Sequence, residues 1–337
     1  MDKIQRLYLA HLPTPIEPLT RLTGELGGPQ LFIKRDDQTG LALGGNKTRK
    51  LEFLLADALA HEARTLITAG AVQSNHCRQT AAAAARAGLA CTLVLSGDPP
   101  GQVTANLLLD QLFGARLVWT TRELRERTLR ETFESDQRAG NAPYLIPYGG
   151  SNAIGAQGYV YAVDELMKQV GQSAVLDAPP DWIVFPSSSG GTQAGLVLGA
   201  RLFGFPGKVL GISVDEPQQV LQQRIATIAS QAAALHRVDL TFEEVEILVN
   251  ANYLGGGYAV LGAPEQEAIS LFARFEGVLI DPVYTGRAAA GMIDLIRQGY
   301  FNPGERVLFW HTGGAPALFA QQYQVSLSTP YFNSTTS

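Results

Sequence analysis

The chain is poor in the residues that define several common protein classes. Among its 337 residues are only two cysteines, five histidines and six lysines. Cys77 and Cys91 lack metal-ligand spacing and cannot build a disulfide scaffold, so both read as small apolar fillers. The histidines are scattered, with no H-E-x-x-H and no Ser-His-Asp order, which leaves no zinc site and no triad hydrolase to assemble. Lysine and arginine total 26 against 31 acidic residues, a net charge of −5. That balance offers no basic patch for nucleic acid or an anionic membrane surface. No apolar run approaches the roughly 18 residues of a membrane span. Asp2, Lys3 and Arg6 precede any apolar stretch, unlike a secretory leader. The expectation is a cytoplasmic protein with a small-molecule partner, no membrane or nucleic-acid contact and no metal.

What is present describes an ordinary globule, 46% apolar and 17% charged. Short apolar, β-branched runs occur at 31–35, 65–69, 91–96, 116–120, 144–147, 182–186, 208–214 and 306–311. Helix-period segments lie between them, near 47–62, 75–88, 102–113, 122–139, 155–170, 192–203, 216–235, 264–276 and 286–298. Strands separated by helices imply parallel crossovers and an α/β fold whose mainly parallel sheets are buried on both faces. The order suggests two lobes: a small domain over 50–158, and a large domain from 1–49 plus 159–337. The alanine run "AAAAARAG" (81–88) reads as a tightly packing helix. The tail "STPYFNSTTS" is expected to fray.

Glycine-rich turns carry the chemical signal. "FPSSSGGTQAGL" (185–196) follows a strand and opens a helix, where backbone N–H groups and the positive helix end suit a phosphate. Ser187, Ser188, Ser189 and Thr192 add hydroxyls, and Gly190 and Gly191 admit close approach. It is not G-x-G-x-x-G. "GGNKT" is not a P-loop either, because Asn46 separates glycine from Lys47. Lys47 instead opens a helix, whose local positive field lowers an amine's pKa and suits Schiff-base chemistry; a surface lysine is the plain alternative. In "TAGAVQSNHC" (68–77), Ser74 or Asn75 is a natural N-cap, leaving first-turn N–H groups for a carboxylate. "DPVYTG" and "HTGG" place Tyr284, Thr285, His311 and Thr312 just past strands, where α/β folds bind ligands. A lone His311 beside an apolar strand fits the core better than catalysis. "LGGGYAVLG" (254–262) reads as a loop with one exposed aromatic, Tyr258.

Taken in order and spacing, "IKRDDQTGLALGGNKTRKLEFL", "ITAGAVQSNHCRQTAA", "SSSGGTQAGL", "LIDPVYTGRAAAGMID" and "HTGGAPALF" resemble the family of 1-aminocyclopropane-1-carboxylate deaminases and D-cysteine desulfhydrases, over about residues 8–320. These are pyridoxal 5'-phosphate enzymes of fold type II, the tryptophan-synthase-β-like group. The resemblance implies two-lobed, three-layer αβα open twisted sheets and a homodimer. It implies that Lys47 carries the cofactor as a Schiff base and that Lys50 balances phosphate charge. Ser189, Gly190, Gly191 and Thr192 correspond to the phosphate cup, and Asn75 to the residue bonded to the cofactor's 3′ oxygen. Ser74, Asn75 and His76 form the turn that grips the substrate carboxylate, with Ser74 beside the substrate. Tyr258 and Tyr284 match the two active-site tyrosines. Deaminases resemble "DPVYEG" and "HLGG", whereas Thr285 and Thr312 match the desulfhydrases. Threonine leaves the cofactor ring a weaker electron sink, which favours β-elimination over cyclopropane opening. A sulfo-lyase acting on L-cysteate shares much of this pattern. It would be expected to need an extra cation for the sulfonate, and Arg78 is the nearest in sequence. Relatives commonly read "GYG-P" where this chain has Ala259 and Leu261.

Overall fold

The computed structural model describes residues 4–172 and 175–328. The tail expected to fray lies outside them from residue 329 onward. In chain order the elements are β1 (Ile16–Pro18), α1 (Thr20–Leu26), β2 (Gln30–Arg35), α2 (Asn46–Ala60), β3 (Thr65–Ala71), α3 (Asn75–Ala87), β4 (Ala90–Ser96), α4 (Ala105–Leu112), β5 (Arg116–Thr120), α5 (Arg125–Arg138) and β6 (Pro143–Leu145). There follow α6 (Ala153–Gln169), β7 (Trp182–Ser187), α7 (Gly191–Phe203), β8 (Lys208–Ser213), α8 (Gln218–Ala234), β9 (Leu248–Asn250), α9 (Ala263–Leu271), α10 (Thr285–Arg297), β10 (Arg306–His311) and α11 (Gln321–Ser328). The helix expected over 264–276 divides: α9 ends at Leu271 and a π-helical turn, Phe272–Glu276, carries the chain to a left-handed Gly277.

Two sheets form. One has the order β1-β2-β10-β7-β8-β9, parallel except for the β1 edge, and the other is β5-β4-β3-β6, all parallel. The near-continuous apolar strands follow from burial on both faces. In β10, Val307 and Phe309 point into a core with α1, α9 and α10, while Leu308 and Trp310 pack with α6 and α7. In the smaller sheet Leu66, Leu93 and Leu95 meet α2 and α3, and Ile67, Ala69 and Val94 meet Leu129 of α5. The alanine run lies in α3, with Ala81, Ala83 and Ala84 fully buried there. The carboxyl end of β7 and the turns that follow β3 and β10 line one cavity.

Beneath that cavity lies a buried knot of charge. The Arg49 guanidinium donates to both oxygens of Asp36 at 2.8 Å and to both oxygens of Glu165 at 2.9 Å, so β2's end, α2 and α6 are held by one side chain. Tyr159 donates to Asp36 at 2.6 Å, and Lys34 donates to Glu165 at 2.6 Å. Burial raises the Asp36 carboxyl, but the Arg49 and Lys34 charges outweigh it and hold it at about 2. Replacing Arg49 by Met should cost about 3–5 kcal/mol, because two buried carboxylates lose their partner. The urea midpoint measures this, and a loss below about 1 kcal/mol would show the knot to be dispensable.

Asp110, on α4, is fully buried and neither of its oxygens has a hydrogen-bond partner. Burial pushes its carboxyl up to about 8, with Arg78 only partly opposing. A raised acid is tolerated while protonated, so its share of stability is complete below the unfolded value near 4 and is lost as pH rises through about 8. Asp110→Asn should therefore gain in Tm relative to wild type between pH 7 and pH 9; a constant difference would contradict this.

Candidate active site

Lys47 sits in the first turn of α2, and its seat is built by glycine. Gly45 has φ of +125°, and a Cβ there would lie 2.4 Å from the Gln79 amide nitrogen and 3.2 Å from the Thr312 carbonyl oxygen. The Asn46 N–H donates to that same carbonyl at 3.0 Å. The glycines before Lys47 thus answer to the protein's own backbone after β10. Burial lowers the Lys47 amine to about 8, against a hydrogen bond with Lys50 that raises it. Lys50 is pushed well below an ordinary lysine by burial and then by Lys47. Its Nζ donates to the Gly149 carbonyl at 3.1 Å and the Ser151 hydroxyl at 3.2 Å.

The turn from β7 to α7 makes an anion cradle. Gly190 occupies the N-cap of α7 in the left-handed region, φ +86°, with no side chain capping the helix. The Gly191 N–H instead donates to Ser151 Oγ at 3.1 Å, and that hydroxyl also bonds Ser189 Oγ at 2.7 Å. Thr192 Oγ1 accepts from the Asn46 amide at 3.1 Å. Ser187 Oγ is buried without a partner in the wall of the same cavity. An uncapped helix N-terminus, two lysine amines and an orphaned hydroxyl form a donor set that fits a phosphorylated aldehyde.

A second uncommitted helix end faces it. Ser74 is the N-cap of α3, accepting from Cys77 N–H at 3.2 Å. The Asn75 side-chain oxygen is occupied by Asn106 at 3.0 Å and Arg78 at 3.2 Å. The Thr68 hydroxyl donates to the Ile146 carbonyl at 2.8 Å, so it accepts the proton on His76 Nε2, also at 2.8 Å. That puts a proton on His76 Nε2 and leaves Nδ1 unpartnered, while burial, Lys47 and Lys50 all depress its pKa and favour the neutral ring.

Lys47, Ser74, Asn75, His76, Ser189, Gly190, Thr192, Tyr284 and Thr312 all line one cavity of about 610 Å³. Lys50 and Gly191 stand behind its wall, bonded to Ser151. Thr285 is not in the lining. Its hydroxyl donates to Asp281 Oδ1 at 2.7 Å and accepts the Asp281 N–H at 2.7 Å, sealing the "DPVYT" turn, so Thr312 alone of the two threonines faces inward. Tyr258 is not the exposed aromatic its glycine-rich loop suggested. It is half-buried, its hydroxyl 2.7 Å from that of Tyr284. Ala259 takes a left-handed φ of +61°. Arg78 does not line the cavity; its guanidinium donates to Asn106 at 2.8 Å and to the Gly44 carbonyl at 2.9 Å behind the wall. His311 is buried and bonded to the Leu279 carbonyl, a core role. Sequence reasoning missed Asn46, Tyr148, Gly149 and Ser151, although "YGGSNAIG" opens α6 much as the phosphate turn opens α7.

The fold and cavity define an α/β protein whose site joins an anion cradle to a lysine of lowered pKa. The chain belongs to the pyridoxal-phosphate dependent enzyme family, which matches residues 7–313. It is 44% identical over 331 residues to a D-cysteine desulfhydrase of Salmonella typhi, covering 95% of this chain and 97% of that one, and equally so to one of Salmonella paratyphi A. Among solved structures, an ACC deaminase homologue superposes with a TM-score of 0.87 at 37% identity, covering 97% of this chain and 96% of that one. An L-serine ammonia-lyase from Rhizomucor miehei shares the fold with a TM-score of 0.69 at 19% identity, covering 96% and 99%.

A Schiff base forms from the neutral amine, so a lysine lowered to about 8 reacts at lower pH than an ordinary one near 10.4. The rate at which cofactor-stripped protein captures pyridoxal phosphate should rise with a midpoint near pH 8. A midpoint above pH 10 would show that burial does not activate Lys47.

Proposed function

We propose that this chain is a D-cysteine desulfhydrase, converting D-cysteine and water to pyruvate, ammonia and hydrogen sulfide. The observation that carries the reading is the arrangement of one activated lysine between two helix N-termini, in a chain 44% identical to named D-cysteine desulfhydrases along nearly its whole length. When bound, pyridoxal phosphate supplies a carbonyl for the substrate's amino group and a conjugated ring that takes up the electrons of the broken Cα–H bond. Ser189, Gly190, Gly191 and Thr192 hold its phosphate, with Lys50 balancing charge. Asn75, its oxygen already engaged, offers its amide N–H₂ to the ring oxygen.

The first-turn N–H groups of Ser74–His76 bind the substrate carboxylate. The Lys47 amine would take the substrate's α proton, and its lowered pKa suits it to act as a base near neutral pH. Burial keeps Tyr258 and Tyr284 protonated, so the pair can hydrogen-bond the departing thiolate. The neutral Thr312 supports elimination over ring opening, and the absence of Arg78 from the cavity lining argues against a sulfonate substrate. We further propose a cytoplasmic homodimer; the exposed Leu43, Leu108, Leu112 and Phe319 are consistent with a covered face.

Assays of sulfide, sulfite and 2-oxobutanoate release from D-cysteine, L-cysteate and aminocyclopropane carboxylate test the reading. Sulfide from D-cysteine should dominate, and Lys47→Ala should lower it at least about a thousandfold and abolish the visible absorbance of the lysine-bound cofactor. Dominant sulfite or 2-oxobutanoate would replace the reading, and an unchanged spectrum would remove Lys47 from its role.

A further inference from the structure

A second chamber adjoins the cavity and is unused by the elimination of cysteine itself. It is open to solvent on one side and is lined in part by Ser96, Arg122, Arg125, Tyr148, Asp215 and Tyr258. Three links tie it to the inner cavity. Tyr148 lines both; Tyr258 is hydrogen-bonded to the inner-wall Tyr284; and Asp215 takes a hydrogen bond from Ser188 of the inner wall. A substituent on a substrate held at Lys47 can therefore extend outward through this wall.

The chamber carries unsatisfied polar atoms of opposite character. Asp215 Oδ1, Ser96 Oγ and Arg125 Nε are each buried without a hydrogen-bond partner. Arg125 lies over the Tyr148 ring, 4.6 Å from its centroid, and among the described residues its ion pair is a 3.5 Å contact with Glu126. Buried polar groups left without partners are costly and point to something that completes them. A guanidinium and a carboxylate facing one space match a group bearing both a carboxylate and an ammonium.

We propose that the outer chamber is a subsite for a zwitterionic amino-acid group carried on the substrate's sulfur, so that the enzyme also acts on the disulfide D-cystine. The inference rests on the desulfhydrase reading. The distal carboxylate pairs with Arg125, assisted by Arg122, and the distal ammonium with Asp215. The reaction balances without an oxidant. The α proton is removed, a Cα–Cβ double bond forms, and the Cβ–S bond breaks with its electron pair leaving on sulfur. The S–S bond stays intact, so the leaving group is the persulfide thiocysteine. Water then hydrolyses the remaining enamine to pyruvate and ammonia.

Initial rates of pyruvate release by the holoenzyme from D-cystine and D-cysteine test this, with persulfide trapped by cyanide as thiocyanate. Wild type should form one persulfide per pyruvate from D-cystine. Arg125→Gln and Asp215→Asn, as separate variants, should each lower kcat/KM for D-cystine at least tenfold while changing that for D-cysteine less than twofold. The retained D-cysteine rate shows that a variant is folded, and either variant suffices if the other is not. D-cystine inert beside active D-cysteine, or equal losses on both substrates, would overturn the subsite alone. Inactivity of the wild type on D-cysteine would remove the desulfhydrase reading and the subsite with it.

Discussion

The geometry of the site depends on Arg49. It lies in the first turns of α2 between Lys47 and Lys50, facing away from the cavity, and its fork closes on Asp36 and Glu165 together. Helix α2 therefore cannot rotate or slide relative to β2's end or α6 without breaking charge-assisted bonds in a place where water cannot replace them. The two lysines on the opposite side of the same turns inherit that rigidity. A reactive amine is useful only if held to within a fraction of an ångström, and here the precision comes from a neighbour that takes no part in the chemistry.

The two lysines also show how one environment produces two behaviours. Burial depresses both amines, and Lys47 depresses Lys50 further while Lys50 raises Lys47; Lys50 is bonded to a carbonyl and a hydroxyl of the glycine turn, while Lys47 faces the cavity. An added phosphate would restore charge to Lys50 first, since Ser151 already links it to the α7 cradle. The division of roles thus follows from what each amine touches, not from any difference in chemistry.

Much of this was legible in the residues. Eight apolar runs and nine helical segments appear close to their expected places because burial on both faces leaves strong, unambiguous signals. The elements that were not foreseen, β1, β9, α1 and α11, span eight residues or fewer, too few for periodicity to register. The glycine turns at 187–192 and 312–313 do line the cavity, as their strand-to-helix positions suggested. Their partners were less visible: that Thr285 is consumed by Asp281, that Arg78 is committed to Asn106 and Gly44, and that Tyr258 is tucked against Tyr284 are tertiary contacts between segments with no local signature. The close packing of Gly45 against Thr312 likewise depends on residues more than two hundred positions away.

That last contact bears on how the protein is made. Lys47 is translated well before Thr312, whose carbonyl fixes its turn. The Ser187–Thr192 turn comes in between. A growing chain therefore carries this amine long before it owns the turn that seats it, and the amine reaches its folded position only once β10 has been made.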